Sequence, residues 1–134
     1  MKKKLKRILL VDDDEATNFI HKIAIEDAGC CEEVICVSNG LEAISFLTKP
    51  ENGSYPCPEF IFLDLNMPLM DGWEFLDVLQ KLLGRSKMPE IYILSAFGKA
   101  KDRELAQQHP HVLGYIDKPL TRNRIEEIFD AKMH

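Results

Sequence analysis

Carboxylates and a lysine stand where short apolar runs of the sequence end. Asp12 and Asp13 follow the run at residues 8–11, Asp64 follows the run at residues 60–63, and Lys118 comes shortly after a run at residues 112–116. If these runs are parallel strands, their carboxyl ends meet at one edge of a sheet, and the side chains lie close together. Carboxylates that crowd together repel one another unless a cation neutralises them. Oxygen ligands without histidine or cysteine favour magnesium, or manganese, over zinc.

A magnesium ion held by few protein oxygens keeps positions open for a phosphoryl group, so phosphoryl chemistry is the leading interpretation. Asp64 stands alone at the end of its run and is the best candidate nucleophile, forming an aspartyl phosphate. Lys118 would balance charge on the phosphoryl oxygens, and Ser95, which ends another apolar run, would donate a hydrogen bond. Any one of these acids could instead cap a helix. Their convergence favours a site.

Apolar runs alternate with segments of helical period along the chain. Strands are predicted at Leu5–Val11, 34–37, 60–63, 91–94 and 112–116, and helices at Glu15–Ala28, 41–47, 73–83, 99–108 and 121–132. Such alternation predicts an α/β fold with helices on both faces of a parallel sheet. At this size the expected form is a flavodoxin-like five-stranded sheet in the order 2-1-3-4-5.

Two predicted helices show apolar side chains at three-to-four spacing, which indicates the buried face of a helix. In the first helix these apolar positions are Ala16, Phe19, Ile20, Ile23 and Ala24, and Asp27 stands at the same spacing. In the third helix they are Phe75, Leu76, Leu79, Leu82 and Leu83.

Composition fits one globular domain. The chain has 134 residues with 46% hydrophobic side chains and a net charge of -5, so nucleic-acid binding has no electrostatic support. No apolar run approaches the roughly 20 residues that span a bilayer. The cysteines lack zinc-site spacing and are expected to be reduced and mostly buried, and the histidines are expected at the surface: Cys30, Cys31, Cys36, Cys57, His21, His109, His111 and His134.

Four segments, ILLVDDD, FIFLDLNMPLMDG, YILSA and GYIDKP, resemble in this order the signature blocks of the receiver domain of two-component response regulators. The resemblance implies that Asp64 accepts a phosphoryl group from the phosphohistidine of a sensor histidine kinase or phosphotransfer protein. It implies that Asp12, Asp13, Asp64 and the backbone carbonyl of Asn66 hold the magnesium ion. It further implies a switch rather than an enzyme, limited to its own phosphorylation and autodephosphorylation.

The same resemblance assigns roles to residues near the other strand ends. Ser95 matches the switch hydroxyl, Tyr115 the aromatic switch residue, and Lys118 a lysine followed by a cis peptide bond. Phosphorylation would change the surface formed by the fourth helix, fifth strand and fifth helix for a protein partner. Asn66 and Phe97 match positions that tune the lifetime of the phosphorylated state, and the bulky Phe97 is expected to lengthen it.

The loop at residues 48–58 is longer than in minimal chemotaxis-type receivers and favours the stand-alone subgroup associated with bacterial phytochromes. From the length of the chain, residues 1–134 are expected to be a single cytoplasmic receiver domain without an output domain, and a fragment of a longer protein is the alternative. A homodimer and a solvated surface remain alternatives for one charged set: Lys101, Asp102, Arg103, Glu104, Asp117, Arg122 and Arg124.

Two other classes of function compete. A haloacid-dehalogenase-type phosphatase also uses a strand-end aspartate with magnesium, but it needs a second acid in the pattern D-x-D-x-T, and Asn66 stands there instead. A flavin-binding protein fits the fold, but its phosphate-binding loop offers backbone amides, whereas three aspartates would repel the phosphate.

Overall fold

The structure is a computed structural model and describes residues 4–49, 57–84, 88–96 and 99–133. Within these residues the chain alternates strands and helices: β1 (Leu5–Val11), α1 (Glu15–Ala28), β2 (Cys31–Val37), α2 (Gly40–Thr48), β3 (Phe60–Asp64), α3 (Gly72–Leu83), β4 (Glu90–Ser95), α4 (Ala100–Gln108), β5 (Val112–Asp117) and α5 (Arg122–Met133). The strands form one parallel sheet in the order β2-β1-β3-β4-β5. The predicted flavodoxin-like topology is confirmed.

The core has two layers because alternate residues of the central strands face opposite sides of the sheet. Leu9, Ile61 and their neighbours pack against α2 and α3, whereas Ile8, Phe60 and their neighbours pack against α1 and α5. Both faces of β1, β3 and β4 are therefore covered, which accounts for their continuous apolar sequences. The helices lie on both faces, as predicted.

Aspartate side chains cap the N-termini of α1 and α3, the helices that follow β1 and β3. The Asp14 side chain accepts from the N–H groups of Ala16 and Thr17. A hydrogen bond from the Thr17 side chain, and then these backbone hydrogen bonds, lower the pKa of its carboxyl. Asp71 and Glu74 form a reciprocal capping box at the start of α3. Asp14 and Asp71 thus serve as helix caps.

The buried face of α1 was predicted wrongly. Phe19, Ile20 and Ile23 are 63%, 55% and 41% exposed, whereas the buried residues of the helix are Asn18, His21 and Ile25. The polar pair is turned inward because Asn18 and His21 hydrogen-bond to backbone groups of the sheet edge and of the segment after β5. That rotation leaves the apolar stripe on the surface.

Two smaller expectations also fail. Leu82 is half exposed, because the buried stripe of α3 ends at Leu79. None of the four cysteines is buried: Cys30 and Cys31 are partly exposed, and Cys36 and Cys57 are exposed. They are free thiols, as expected, and partial burial raises the pKa of Cys30 to about 11.

Two regions of the prediction lie partly outside the described residues. Residues 50–56 of the loop at 48–58 and Phe97 are not described, so the expectations for them are not tested. Among the described residues, no helix is both long and apolar enough to cross a membrane.

Candidate acidic site at the carboxyl edge of the sheet

Three aspartates meet where β1 and β3 end side by side. The strands pair in register up to Val11 and Leu63, so Asp12, Asp13 and Asp64 emerge together at the carboxyl edge. One oxygen of each carboxylate lies within 4.8 Å of those of the other two. Asp12 and Asp64 are only 3% and 5% exposed, whereas Asp13 faces solvent. The structure therefore brings together the three acids that the sequence singled out.

Lys118 is the cation that faces the buried acids. Its Nζ lies 2.6 Å from Oδ2 of Asp12 and 3.6 Å from Oδ1 of Asp64. Burial opposes the charged form of the lysine, but the two carboxylates outweigh it and raise the pKa of Lys118. The lysine is charged at neutral pH and balances part of the negative charge of the site.

The carboxyl of Asp64 has a raised pKa. Burial raises its pKa from 3.8 to about 6; the charge of Lys118 works against this rise, and that of Asp12 adds to it. A carboxylate with a raised pKa binds a proton or a cation more readily than an exposed one. The charge state of Asp64 therefore depends on what occupies the site.

The donor set fits a hard divalent cation. Each buried acid already accepts one backbone N–H through Oδ1: Asp12 from Asp14 at 3.0 Å and Asp64 from Asn66 at 3.4 Å. These hydrogen bonds orient the carboxylates and leave the exposed Asp13 as a third oxygen donor. Three carboxylates with no sulfur or imidazole in the described cluster match the ligand preference of Mg²⁺.

The switch residues predicted at the ends of the neighbouring strands lie nearby in the sheet. Ser95 is buried at the end of β4, one residue beyond Leu94, which pairs with Asp64. Tyr115 lies on β5, and its buried hydroxyl has no hydrogen-bond partner among the described residues. The guanidinium of Arg103 from α4 stacks 4.6 Å from the Tyr115 ring centroid. The Tyr115 ring on β5 therefore contacts α4 through Arg103.

The loop from β3 to α3 contains a strained turn. Leu69 has φ 70°, and the N–H of Met70 donates to the carbonyl of Pro68 at 2.7 Å across it. This is a three-residue turn with positive φ, which a leucine rarely adopts. Its side chain is 78% exposed, so no packing compensates. At the end of the loop, Gly72 allows α3 to approach closely, since a Cβ there would lie 3.0 Å from the carbonyl oxygen of Asp64.

An open groove of about 630 Å³ lies beside the site and includes Asp13 in its wall. Its walls come from the loop after β3 and from α3 and α4, and include Asp13, Asn66, Trp73, Lys99, Lys101 and Asp102. The two lysines place positive charge in the same groove wall as Asp13.

Two residues of the site surroundings escaped prediction. Asn18 donates through Nδ2 to the carbonyls of Asp12 and Val37, at 3.0 and 3.2 Å, and so joins the ends of β1 and β2. His21, expected at the surface, is 1% exposed. Asn18 and His21 are three residues apart and so share one face of α1, which was the available signal in the sequence. The apolar residues beside them dominated the helical periodicity and indicated a different buried face.

The comparisons with known proteins agree with this geometry. Residues 8–130 match the family model of the response regulator receiver domain, and the chain belongs to that family. It is 30% identical over 114 residues to the response regulator Rcp1 of Synechocystis, covering 84% of this chain and 76% of Rcp1. A two-component response regulator of Cytophaga hutchinsonii superposes with a TM-score of 0.87 at 29% identity, covering 96% of this chain and 97% of the other.

Other matches bear on fold and length. The chemotaxis protein CheY4 of Vibrio cholerae has a TM-score of 0.75 at 22% identity, covering 95% of this chain and 98% of the other, which shows a common fold. A hybrid histidine kinase, L, of Dictyostelium discoideum is 28% identical over 127 residues, which is 94% of this chain but 7% of the kinase. The same kind of domain therefore occurs in proteins of very different length, and the phytochrome-associated subgroup stays a prediction.

Proposed function

We propose that the protein is a phosphoacceptor switch in which Asp64 receives a phosphoryl group from a phosphohistidine. The observation that carries this proposal is the cluster of Asp12, Asp13 and Asp64 within 4.8 Å, faced by Lys118. A buried nucleophile, two further acids and one lysine are the parts that magnesium-assisted phosphoryl transfer to a carboxylate requires. The donor would be a sensor histidine kinase or a histidine phosphotransfer protein.

In the transfer step, a carboxylate oxygen of Asp64 attacks the phosphorus, and the bond from phosphorus to the histidine nitrogen breaks. The imidazole leaves with the electron pair of that bond, and the aspartate becomes an aspartyl phosphate. Asp12, Asp13, Asp64 and the backbone carbonyl of Asn66 would hold Mg²⁺. When bound, Mg²⁺ supplies charge neutralisation for the phosphoryl oxygens.

Lys118 would interact with both Asp12 and Asp64 in this scheme. Without a phosphoryl group its Nζ lies closer to Asp12 than to Asp64. A phosphoryl group on Asp64 would offer it oxygens carrying about two negative charges. Lys118 would then leave Asp12 and bind the phosphoryl group on Asp64.

The response would pass from Asp64 to the surface of α4, β5 and α5. Ser95 would donate its hydroxyl to the phosphoryl group, and Tyr115 would change position beside it, because only one arrangement of the β4–α4 connection satisfies the added charge. The contact of Arg103 with Tyr115 and its ion pair with Asp117 at 3.3 Å lie on that surface. A protein partner would recognise the changed surface. Dimerisation through this surface stays a prediction. A cytoplasmic location also stays a prediction.

The test is phosphorylation with a small donor. Purified protein is incubated with acetyl phosphate, with Mg²⁺ or with a chelator, and the intact mass is measured. We expect the mass of one phosphoryl group in the wild type with Mg²⁺ and no addition in Asp64→Asn or in the chelator. Asp71→Asn is the matched control, since this aspartate caps α3 outside the acidic cluster.

Two outcomes would contradict the proposal. One is a wild-type protein that stays unmodified under these conditions and does not bind beryllofluoride. The other is a phosphoryl group that remains in Asp64→Asn. Steady release of phosphate from unrelated phosphomonoesters would instead support the phosphatase alternative.

A further inference from the structure

His21 is a buried polar side chain of α1 to which the proposed phosphoryl-transfer chemistry assigns no role. It lies one helical turn from Asn18 and one from Ile25, on the face of α1 turned toward the sheet. A buried imidazole without a function would be costly, because polar groups lose hydration when they are buried. Its partner shows what it does.

The partner is the backbone of the segment that follows β5. The N–H of Leu120 donates to Nε2 of His21 at 3.0 Å, joining residues 99 positions apart in the sequence. Since Nε2 accepts, it carries no proton, and the neutral ring carries its proton on Nδ1. Burial lowers the pKa of His21, with Lys118 acting in the same direction and Asp12 against it. The geometry thus requires the neutral ring.

Leu120 lies two residues after Lys118, so its hydrogen bond to His21 holds the backbone just after the lysine. A second hydrogen bond holds the backbone at the lysine itself. The N–H of Lys118 donates to the carbonyl of Ser95 at 2.9 Å. One hydrogen bond therefore ties the segment to the end of β4, and the other ties it to α1. A lysine side chain is long and flexible, so its ammonium is placed well only if its backbone is held.

We propose that His21 is a positioning residue for Lys118: by accepting the Leu120 N–H it fixes the backbone from which Lys118 reaches Asp12 and Asp64. The expected effect on the phosphorylation rate rests on the proposed function, whereas the hydrogen bond between Leu120 and His21 does not. It assigns to α1 a part in the chemistry of the site, although no residue of α1 belongs to the acidic cluster.

Two substitutions separate positioning from packing. His21→Gln offers an amide oxygen at nearly the position of Nε2, whereas His21→Leu fills similar space without an acceptor. We expect His21→Leu to be phosphorylated by acetyl phosphate about tenfold more slowly than the wild type, since misplacement of a catalytic group by about 1 Å can cost a hundredfold. His21→Gln should recover most of the rate. Affinity for Mg²⁺, measured by calorimetry, should not fall in either variant.

Ile25→Val is the matched control for lost stability, because Ile25 is buried on the same helix face and donates or accepts nothing. It should be phosphorylated at the wild-type rate. Equal rates in His21→Leu and the wild type would overturn the inference. So would a His21→Gln variant as slow as His21→Leu, or an Ile25→Val variant slowed as much.

A spectroscopic measurement tests the hydrogen bond independently of phosphorylation. In ¹⁵N-labelled protein, the N–H···N bond predicts scalar coupling between the Leu120 amide nitrogen and Nε2 of His21, and imidazole nitrogen shifts of the Nδ1–H tautomer. If these signals are present and no variant or wild type is phosphorylated, the proposed function fails and the hydrogen bond stands. If the Nε2–H tautomer is found, the positioning role is overturned.

Discussion

Lys118 and Asp12 form the shortest contact between opposite charges at the acidic site, with Nζ 2.6 Å from Oδ2. The same ammonium is 3.6 Å from Asp64, so one cation serves two buried carboxylates. The lysine stabilises the acids when no metal is bound, and it competes with any metal that uses Asp12. This double role leads to the first prediction.

Replacing Lys118 by methionine should strengthen Mg²⁺ binding and weaken the metal-free fold. The competing charge is removed, and two buried carboxylates lose their partner, which costs about 2 kcal/mol of unfolding free energy. Urea unfolding in a chelator at neutral pH measures the loss, and saturating Mg²⁺ should recover most of it. Arg124→Met, which breaks an exposed pair with Glu127, is the control and should show neither effect. Weaker Mg²⁺ binding in Lys118→Met would contradict the competition.

The raised pKa of Asp64 predicts how metal-free stability changes with pH. The folded protein keeps a proton on Asp64 up to about pH 6, whereas the unfolded chain releases it near pH 3.8. The unfolding free energy contributed by this group therefore falls as the pH rises through that window. Asp64→Asn lacks the titration and should exceed the wild type by about 2 kcal/mol at about pH 7.5, after allowance for solvent screening.

At about pH 4 the difference between the variant and the wild type should shrink to about 0.5 kcal/mol, since Asp64 is then protonated in the folded state and roughly half ionised in the unfolded chain. Urea unfolding at the two pH values in a chelator gives the comparison. A constant difference between variant and wild type at both pH values would show that the charge of Asp64 is not its origin.

The orientation of α1 can be checked by substitution on its two faces. Ile25→Ala should lower the unfolding free energy by about 2–4 kcal/mol, because it leaves a cavity in the core. Ile20→Gln should change it by less than about 0.5 kcal/mol, because the side chain is already more than half exposed. Chemical unfolding measures the unfolding free energy of both variants. A larger loss in Ile20→Gln than in Ile25→Ala would show that the apolar stripe is the buried face of α1.

Leu69 offers a substitution that should increase stability. Asparagine adopts positive φ more readily than leucine, so Leu69→Asn should raise the unfolding free energy by about 1 kcal/mol. Alanine has no side-chain amide that could hydrogen-bond locally at positive φ. Leu69→Ala should therefore gain nothing, which makes it the control for removal of an exposed apolar side chain. A gain in both variants would point to side-chain exposure rather than to backbone strain.

Much of the site could be predicted because it depends on two strong signals. Apolar runs located the strands, and parallel strands place their final residues at one edge, so Asp12, Asp13, Asp64 and Lys118 were found as a group. The structure adds distances and charge states, which depend on side-chain burial and cannot be read from spacing alone.

The face of α1 could not be predicted in the same way. Apolar periodicity indicates the buried face of a helix when the sheet beneath it offers only apolar surface. Here the sheet edge also offers backbone groups near Asp12 and Leu120 that need hydrogen-bond partners, and Asn18 and His21 supply them. Their burial satisfies backbone groups that only the tertiary arrangement brings near α1.

Trp73 is the single tryptophan of the sequence, and it lines the groove with Asp13 while its indole Nε1–H donates to Asp102 of α4 at 3.4 Å. An indole that joins α3 to α4 beside the acids is a built-in fluorophore. Its emission should respond when α4 moves or when the groove fills. The occupancy of the site could therefore be followed in real time in the unlabelled protein.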